Sequence, residues 1–358
     1  MKKIAINGFG RIGRAFLKLA LMDERVLREI DVVAVNDLGD LDNMIYLLNH
    51  DTVYRQKNFR NIEARIIDEK EKYLVLTLLN GDQKEIRFLS EKDPETFIQE
   101  KIWSNLGVDL VVECTGIFSS ADKAHFHIES GAKKVILSSP AKDLKNSMRK
   151  SETVLMGLNE EKLKDFEITS NASCTTNAVS PIMAILNETV GIEKAILNTI
   201  HAYTASQSIV DGINKKNWRI GRAGAQNIIP STTGAAIAVT KSFPELKDLF
   251  DGISIRVPVV AGSLADVTFI SKRNTSVEEI NRILENASKT ERWKSLLAVS
   301  YEELVSSDIL GIRYAGIVDA KMTKVVDGNL IKVLIWYDNE VGYANTLLEH
   351  TLKAVNFI

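Results

Sequence analysis

The sequence is short of cysteine, proline and net charge, and each shortage excludes a class of protein. Two cysteines in 358 residues cannot build a disulfide framework or a four-ligand zinc site, which predicts a reducing, cytoplasmic setting and no metal. The 45 Lys and Arg nearly cancel the 47 Asp and Glu, so nucleic acid and anionic membranes are not expected partners. With only 6 prolines among 45% hydrophobic residues, the composition is that of an ordinary folded protein.

Long apolar runs are also missing. The first run ends at Ile6, which is shorter than the roughly 7 to 15 residues of a signal-peptide core. The longest charge-free stretches, 168–187 and 223–240, contain Asn, Ser, Thr and proline. We therefore expect buried or site-forming segments there, and no membrane span.

A chain of 358 residues suggests two domains, at roughly 100 to 200 residues each. In the first half, the apolar runs 3–7, 32–35, 108–113 and 134–138 alternate with helical patterns, which predicts a parallel sheet covered on both faces. Two runs flanking Asn80-Gly81 predict a hairpin, inserted in that sheet or at its edge.

The pattern changes after Cys174. Long β-like runs at 194–203, 252–259, 264–271 and 330–337 predict a mostly antiparallel sheet, and residues 344–355 predict an amphipathic closing helix. The predicted fold is thus α/β: a Rossmann-type dinucleotide-binding domain over residues 1–173, completed by a C-terminal helix at 340–358, and an α+β catalytic domain over 174–339.

The segment Gly8-Phe9-Gly10-Arg11-Ile12-Gly13 opens a predicted helix directly after a predicted strand. In that context one glycine makes the turn, one admits a pyrophosphate, and one lets the helix approach the sheet. Asp37 ends the second strand, where a carboxylate binds ribose hydroxyls and favours NAD over NADP. The alternative is a glycine turn that only packs.

Cys174 stands at the start of a predicted helix, where the helix dipole is expected to lower the pKa of the thiol. His201, at the end of a β-like run, is the candidate base for it. Cys114 lies inside a strand run and is expected to be a small buried hydrophobe, which is the alternative role for Cys174. The other histidines are expected to be surface or packing residues: His50, His125, His127 and His350.

Several residues are candidate anion holders. The hydroxyls of Ser173 and Thr175 flank Cys174, and Thr233-Gly234 precedes a helical run where capping is the alternative role. Arg256 is a lone charge in an apolar run and needs an anionic partner, which a salt bridge would also supply.

Together these segments resemble the phosphorylating glyceraldehyde-3-phosphate dehydrogenases along nearly the whole chain. Seven signatures carry the resemblance in order: INGFGRIGR at 6–14, ECTGIF at 113–118, SNASCTTN at 170–177, HAYT at 201–204, NIIPSTTGAA at 227–236, RVP at 256–258 and WYDNEVGY at 336–343.

The resemblance implies NAD-dependent oxidation of glyceraldehyde 3-phosphate with inorganic phosphate, in glycolysis or gluconeogenesis, by a homotetramer. It implies that Cys174 forms a thiohemiacetal and then a thioester, with His201 as the base. By the same resemblance the substrate phosphate lies against Thr204 and Arg256. The inorganic phosphate contacts Ser173, Thr175, Thr233 and Gly234. The cofactor is held by Gly8, Gly10, Arg11, Ile12, Gly13, Asp37, Ser138 and Asn339.

Three other functions share part of this pattern. Erythrose-4-phosphate dehydrogenase has the same nucleophile, base and cofactor but hydrolyses the thioester. A non-catalytic dinucleotide-binding protein would not need the complete Cys-His pair, and a Cys-His hydrolase would not need the glycine fingerprint. The resemblance departs at Gly212-Ile213, where some NAD-specific members have a Leu-Pro pair that helps exclude the 2′-phosphate.

Overall fold

The computed structural model describes residues 1–55, 59–215, 217–241 and 243–358. The chain falls into two compact units, which are described separately. The first comprises Met1–Val154, Glu160–Ala172 and Leu347–Ile358, and the second comprises Leu155–Asn159 and Ser173–Thr346.

The first unit contains a nine-stranded sheet with strand order β3-β4-β5-β2-β1-β6-β7-β9-β8. Its elements, in chain order, are β1 (Lys2–Asn7), α1 (Arg11–Met22), α2 (Glu24–Glu29), β2 (Ile30–Asn36), α3 (Leu41–Asn49), β3 (Asn61–Ile66), β4 (Lys72–Thr77), β5 (Gln83–Leu89), α4 (Pro94–Gln99), α5 (Ile102–Leu106), β6 (Leu110–Glu113), α6 (Ala121–Ala124), α7 (Phe126–Glu129), β7 (Lys134–Leu137), β8 (Glu152–Thr153) and β9 (Ile168–Ser170).

The centre of this sheet is parallel, as predicted, because β1 pairs in parallel with both β2 and β6. All four residues of β6 and of β7 are buried, which is typical of strands covered on both faces. The predicted hairpin is confirmed: β4 pairs antiparallel with β5, and β3 continues the antiparallel edge. Between β6 and β7 the chain forms two short helices, α6 and α7.

The second unit contains an eight-stranded sheet with order β11-β12-β10-β13-β17-β15-β14, and β16 also pairs with β17. Its elements are α8 (Cys174–Thr189), β10 (Ile192–Ala202), β11 (Ile229–Thr232), α9 (Ala235–Thr240), β12 (Phe250–Val257), β13 (Ser263–Ser271), α10 (Val277–Ser288), β14 (Leu297–Ser300), β15 (Gly316–Asp319), β16 (Lys324–Val326) and β17 (Leu330–Tyr337). A last helix, α11 (Val341–Ala354), begins in the second unit and ends in the first.

This second sheet is mixed, and one of its parallel pairs positions the candidate site. The predicted antiparallel pairing holds for β10 with β13 and for β13 with β17, whereas β10 and β12 run parallel. A parallel pair needs a long crossover, which the segment between Ala202 and Phe250 provides. Because both strands run the same way, His201 and Arg256 are paired near the carboxyl ends of β10 and β12.

Within the described ranges, no helix combines the length and the apolar character that a membrane crossing requires.

Candidate active site

Cys174 is the first residue of α8, and the residue before it caps the helix. The Oγ of Ser173 accepts a hydrogen bond from the backbone N–H of Thr176 at 3.1 Å. This is the usual N-cap arrangement, and it fixes the direction in which the first turn leaves the loop. The cap therefore holds the backbone of Cys174 at the first position of the helix.

His201 faces this sulfur from the end of β10. Its Nε2 lies 3.3 Å from the Sγ of Cys174, and its Nδ1 lies 2.7 Å from the carbonyl oxygen of Ala202. The ring is buried, with 5% of the residue exposed. A nucleophile, a base within proton-transfer distance and a group that orients the base are the parts needed for covalent catalysis.

Arg256 brings the positive charge of the site. Its Nη1 lies 2.6 Å from His201 Nδ1 and 3.1 Å from the Ala202 carbonyl oxygen. The sequence predicted that this guanidinium needs an anionic partner. Neither of these contacts is with an anion, so the guanidinium is held against a base and a carbonyl.

The electrostatics of the Cys174-His201 pair differ from the prediction for the thiol. Burial raises the pKa of Cys174 above its ordinary value, although Arg256 and the N–H of Thr175 act to lower it. Burial, with the charge of Arg256, lowers the pKa of His201 to about 4. The expectation of a lowered Cys174 pKa is therefore wrong, because loss of hydration outweighs the helix terminus and the nearby cation.

Tyr337, on β17, is a site residue that the sequence reasoning missed. Its hydroxyl lies 2.9 Å from the Oγ1 of Thr175 and 2.7 Å from the Oγ1 of Thr199, and its ring packs edge-on to His201 at 6.0 Å. One hydroxyl thus joins the residue after the nucleophile to the strand that carries the base. The signal that could have identified Tyr337 is its place in the WYDNEVGY segment, which also contains Asn339.

The predicted anion holders lie in local turns of the second unit. The Oγ1 of Thr233 accepts from the N–H of Ala235 at 3.1 Å, and Gly234 directly precedes α9. The Oγ1 of Thr204 lies 2.9 Å from the Oγ of Ser206. The N-cap of α9 is Gly234, without a side-chain cap, so Thr233 contributes only this one bond to the start of the helix, and its hydroxyl hydrogen can still be donated.

The glycine segment of the first unit has the geometry of a dinucleotide loop. Gly8 has φ +95°, and a Cβ there would lie 2.6 Å from the backbone nitrogen of Thr115. A Cβ on Gly13 would collide with the carbonyl oxygen of Gly8, so the helix approaches the turn too closely for a side chain. A Cβ on Gly10 would meet no atom within 4 Å, which leaves space for a ligand beside the start of α1. Gly10 is the N-cap of α1 and offers no side-chain cap, so the N–H groups of Arg11 and Ile12 face that space at a helix N-terminus.

Asp37 follows β2 beside this loop. Its Oδ2 accepts from the N–H of Phe9 at 2.6 Å, and its Oδ1 accepts from the N–H of Gly39 at 2.8 Å. A carboxylate oxygen has two acceptor sites, so each oxygen retains one for a ligand hydroxyl. The residues at this end of the sheet therefore fit a dinucleotide.

Two more predicted cofactor residues have defined surroundings. Ser138 follows β7, and its backbone N–H donates to the carbonyl of Glu113 at 2.9 Å. In the second unit, the Oδ1 of Asn339 accepts from the N–H of Gly262 at 3.0 Å and from the Oγ of Ser263 at 3.1 Å. These bonds fix the amide orientation and leave the Nδ2 hydrogens as donors for a ligand.

A second polar cluster lies behind the glycine loop. The Oε2 of Glu113 accepts from Asn7 at 2.5 Å and lies 3.2 Å from His127 Nε2. The Nδ1 of His127 in turn accepts from the indole N–H of Trp103 at 2.9 Å. His127 is fully buried, which agrees with the packing role expected for it. Among the described residues, no group of three or more His, Cys, Asp or Glu side chains could hold a metal ion.

Comparison with known proteins identifies the family. Residues 2–121 match the family profile described as the NAD binding domain of glyceraldehyde 3-phosphate dehydrogenase, and residues 173–339 match its C-terminal domain. Relatives named glyceraldehyde-3-phosphate dehydrogenase are 41% identical in Borreliella burgdorferi (99% of both chains), 42% in Thermotoga maritima (98% of both) and 40% in Streptomyces coelicolor (99% of this chain, 98% of the other). Both halves of the chain therefore lead to one conclusion: it belongs to the glyceraldehyde-3-phosphate dehydrogenase family.

Proposed function

We propose that the protein catalyses the NAD-dependent, phosphorylating oxidation of D-glyceraldehyde 3-phosphate to 1,3-bisphosphoglycerate. The observation that carries the proposal is the Cys174-His201 pair, with sulfur and Nε2 3.3 Å apart, in a chain with both domains of this family. Family membership makes it an NAD-dependent oxidoreductase of glycolysis or gluconeogenesis.

Covalent catalysis would begin with transfer of the Cys174 thiol proton to His201 Nε2, followed by attack of the sulfur on the aldehyde carbon. The protonated ring then donates to the new oxyanion of the thiohemiacetal. When bound, NAD would supply the hydride acceptor that oxidation of that carbon requires. His201 takes up the hydroxyl proton as the thioester forms.

The last step would release the product from Cys174. An oxygen of inorganic phosphate attacks the thioester carbon, the carbon–sulfur bond breaks, and the acyl phosphate leaves with Cys174 as a thiolate. Because the thioester is passed to phosphate and not hydrolysed, part of the free energy of oxidation is retained in the acyl phosphate. Ser173, Thr175, Thr233 and Gly234 would bind the attacking phosphate, and this assignment rests on family resemblance and on their hydroxyl and N–H donors.

Recognition of the substrate's own phosphate is assigned to Thr204 and Arg256. Among the described residues, no acidic side chain contacts the half-buried guanidinium, so an incoming phosphate would supply its anionic partner. A bidentate guanidinium–phosphate contact also orients the aldehyde carbon toward the sulfur.

Cofactor binding is assigned to the glycine loop of the first unit, to Asp37 beside it and to two further residues. The pyrophosphate would lie at the N-terminus of α1, and Asp37 would accept from the adenosine ribose. Ser138 and Asn339 would hold the nicotinamide end. The complete set is Gly8, Gly10, Arg11, Ile12, Gly13, Asp37, Ser138 and Asn339.

We also propose a homotetramer in the cytoplasm. The tetramer follows from the family resemblance alone. The cytoplasmic assignment follows from the two free cysteines, Cys114 and Cys174, since a catalytic thiol needs a reducing compartment.

The test is NADH formation from glyceraldehyde 3-phosphate and NAD, followed by absorbance with and without inorganic phosphate. We expect steady turnover that requires phosphate. Turnover indifferent to phosphate, or a single burst, would contradict transfer to phosphate and favour a hydrolysing enzyme such as erythrose-4-phosphate dehydrogenase.

Two cysteine variants make the assay specific for the nucleophile. Cys174→Ala should abolish turnover and retain NAD binding, whereas Cys114→Ala, at the other free cysteine, should keep both. Residual turnover in the first variant would rule out the covalent mechanism.

A further inference from the structure

The backbone turns sharply between β9 and α8, just before the nucleophile. Ala172, two residues ahead of Cys174, has φ +55°, which lies in the left-handed region that a residue with a Cβ rarely adopts. It is also buried, with 1% of the residue exposed. Such a conformation is unfavourable for alanine and persists where neighbouring contacts hold it. The contacts of this turn therefore help to decide where α8 begins.

Two backbone N–H groups of the turn are hydrogen-bonded to the first unit. The N–H of Asn171 donates to the carbonyl oxygen of Leu137, at the end of β7, at 3.0 Å. The N–H of Ala172 donates to the Oγ of Ser170 at 3.0 Å, and that hydroxyl donates to the carbonyl oxygen of Ser139 at 2.7 Å. These bonds fix the path of the backbone into the turn. They do not involve the side chain of Asn171, which is fully buried.

His350, on α11, holds that side chain. Its Nδ1 lies 3.2 Å from the Oδ1 of Asn171, and its Nε2 lies 2.9 Å from the Oγ1 of Thr169. An amide oxygen can only accept, so Nδ1 carries the ring hydrogen and Nε2 accepts from the threonine hydroxyl. One neutral tautomer thus satisfies both contacts. Burial lowers the pKa of His350 to about 3, so this pattern of donor and acceptor does not change near neutral pH.

The sequence predicted a surface or packing role for His350, and its complete burial excludes the first. An aliphatic side chain could fill this position on α11 without burying two ring nitrogens, whose lost hydration has to be compensated by hydrogen bonds. Both compensating partners, Thr169 and Asn171, belong to the segment that leads to Cys174. The histidine is therefore placed to hold that segment as well as to fill space.

We propose that His350 is a positioning residue for the nucleophile. Its Nδ1–H holds the side chain of Asn171, and this contact supports the left-handed turn at Ala172 from which the chain enters α8. The nucleophilic role of Cys174 rests on the proposed function. His350 acts on it through the intervening backbone, and the distance that this arrangement controls is the 3.3 Å between the Cys174 sulfur and His201 Nε2.

The test is the rate at which iodoacetamide alkylates Cys174, measured by mass spectrometry in a Cys114→Ala background so that one thiol remains. The thiolate is the reactive form and His201 lies beside the sulfur, so a displaced sulfur should react more slowly. A displacement of about 1 Å can cost about a hundredfold in rate. Because the two backbone bonds of the turn remain, we expect His350→Leu to alkylate about tenfold more slowly. An unchanged rate would overturn the proposal.

Two amide variants identify which ring nitrogen matters. The side-chain nitrogen of asparagine can take the place of Nδ1, and that of glutamine can take the place of Nε2. His350→Asn should therefore alkylate at a rate close to that of the wild type, whereas His350→Gln should be as slow as His350→Leu. Both keep a polar group at this position, so the comparison can still be made if the leucine variant does not fold. Equal rates in the two amide variants would contradict the proposed contact with Asn171.

A matched control separates positioning from stability. Thr351, the next residue of α11, is fully buried, and its Oγ1 donates to the carbonyl oxygen of Leu347 at 2.8 Å. Thr351→Val should lower Tm but alkylate like the wild type at a temperature where every variant is folded. An equal slowing in Thr351→Val and His350→Leu would attribute the effect to stability and overturn the proposal. Adding Asn171→Ala to His350→Leu should slow alkylation no further than Asn171→Ala alone, and additive losses would show that His350 does not act through Asn171.

Turnover gives a second measurement. His350→Leu should lower kcat about tenfold and leave KM for glyceraldehyde 3-phosphate nearly unchanged, because the assigned phosphate contacts, Thr204 and Arg256, are not altered. A raised KM with an unchanged kcat would contradict a role in positioning the nucleophile. Alkylation needs neither aldehyde, NAD nor phosphate. A wild-type protein that does not oxidise the aldehyde would therefore refute the proposed function while the alkylation comparison still tests His350.

Discussion

The hydroxyl of Tyr337 offers a direct test of how the site is held together. Tyr337→Phe removes one buried oxygen and with it two hydrogen bonds, to Thr175 at 2.9 Å and to Thr199 at 2.7 Å. At a net value of about 1 kcal/mol each, the loss is about 2 kcal/mol of stability. For a unit of this size that lowers Tm by roughly 4–8 °C. Because the lost bonds join the segment of Cys174 to the strand of His201, we also expect kcat/KM to fall several-fold.

The measurement compares Tm and kcat/KM for the wild type, Tyr337→Phe and a matched control. Tyr301→Phe removes the same atom from a residue that is 50% exposed. It should change the free energy of unfolding by less than about 0.5 kcal/mol, and Tm correspondingly little. If Tyr337→Phe melts at the same temperature as Tyr301→Phe, the two threonines do not depend on Tyr337, and the reasoning fails. A lower Tm with unchanged kcat/KM would restrict Tyr337 to stability.

Two further predictions concern pH and cofactor choice. Burial lowers the pKa of His350 to about 3, from about 6.5 in the unfolded chain. The stability that the neutral histidine contributes is therefore complete above pH 6.5 and decreases as the pH is lowered, by about 2 kcal/mol at pH 5. Unfolding measured above pH 6.5 and at pH 5 should show a smaller loss of stability in His350→Gln than in the wild type. An equal loss in the two proteins would exclude His350 as its source. Asp37→Ala should raise the NADP to NAD ratio of kcat/KM by about tenfold, since a carboxylate repels a 2′-phosphate by more than about 1 kcal/mol. An unchanged ratio would place discrimination elsewhere, for example at Gly212-Ile213.

Local signals in the sequence predicted much of the fold. The alternating runs on either side of Asn80-Gly81 require a hairpin, and β4 and β5 form it. The parallel pairing of β10 with β12 could not be predicted in this way, because the two strands are separated by a long crossover and nothing local marks their register. That pairing brings Arg256 to His201. The sequence therefore identified both residues as candidates but could not predict their contact.

The direction of the Cys174 pKa shift is a second property that the sequence could not predict. The sequence shows that the thiol stands at a helix N-terminus, which favours the anion, but it does not show how much water the folded site excludes. Burial raises the pKa of Cys174 and lowers that of His201, so each group disfavours its own charged form. Forming the thiolate and the imidazolium together is less costly than forming either alone, since each charge then has a partner at 3.3 Å. Ionisation at this site therefore has to be a property of the pair, and whatever controls the proton on His201 controls the nucleophile.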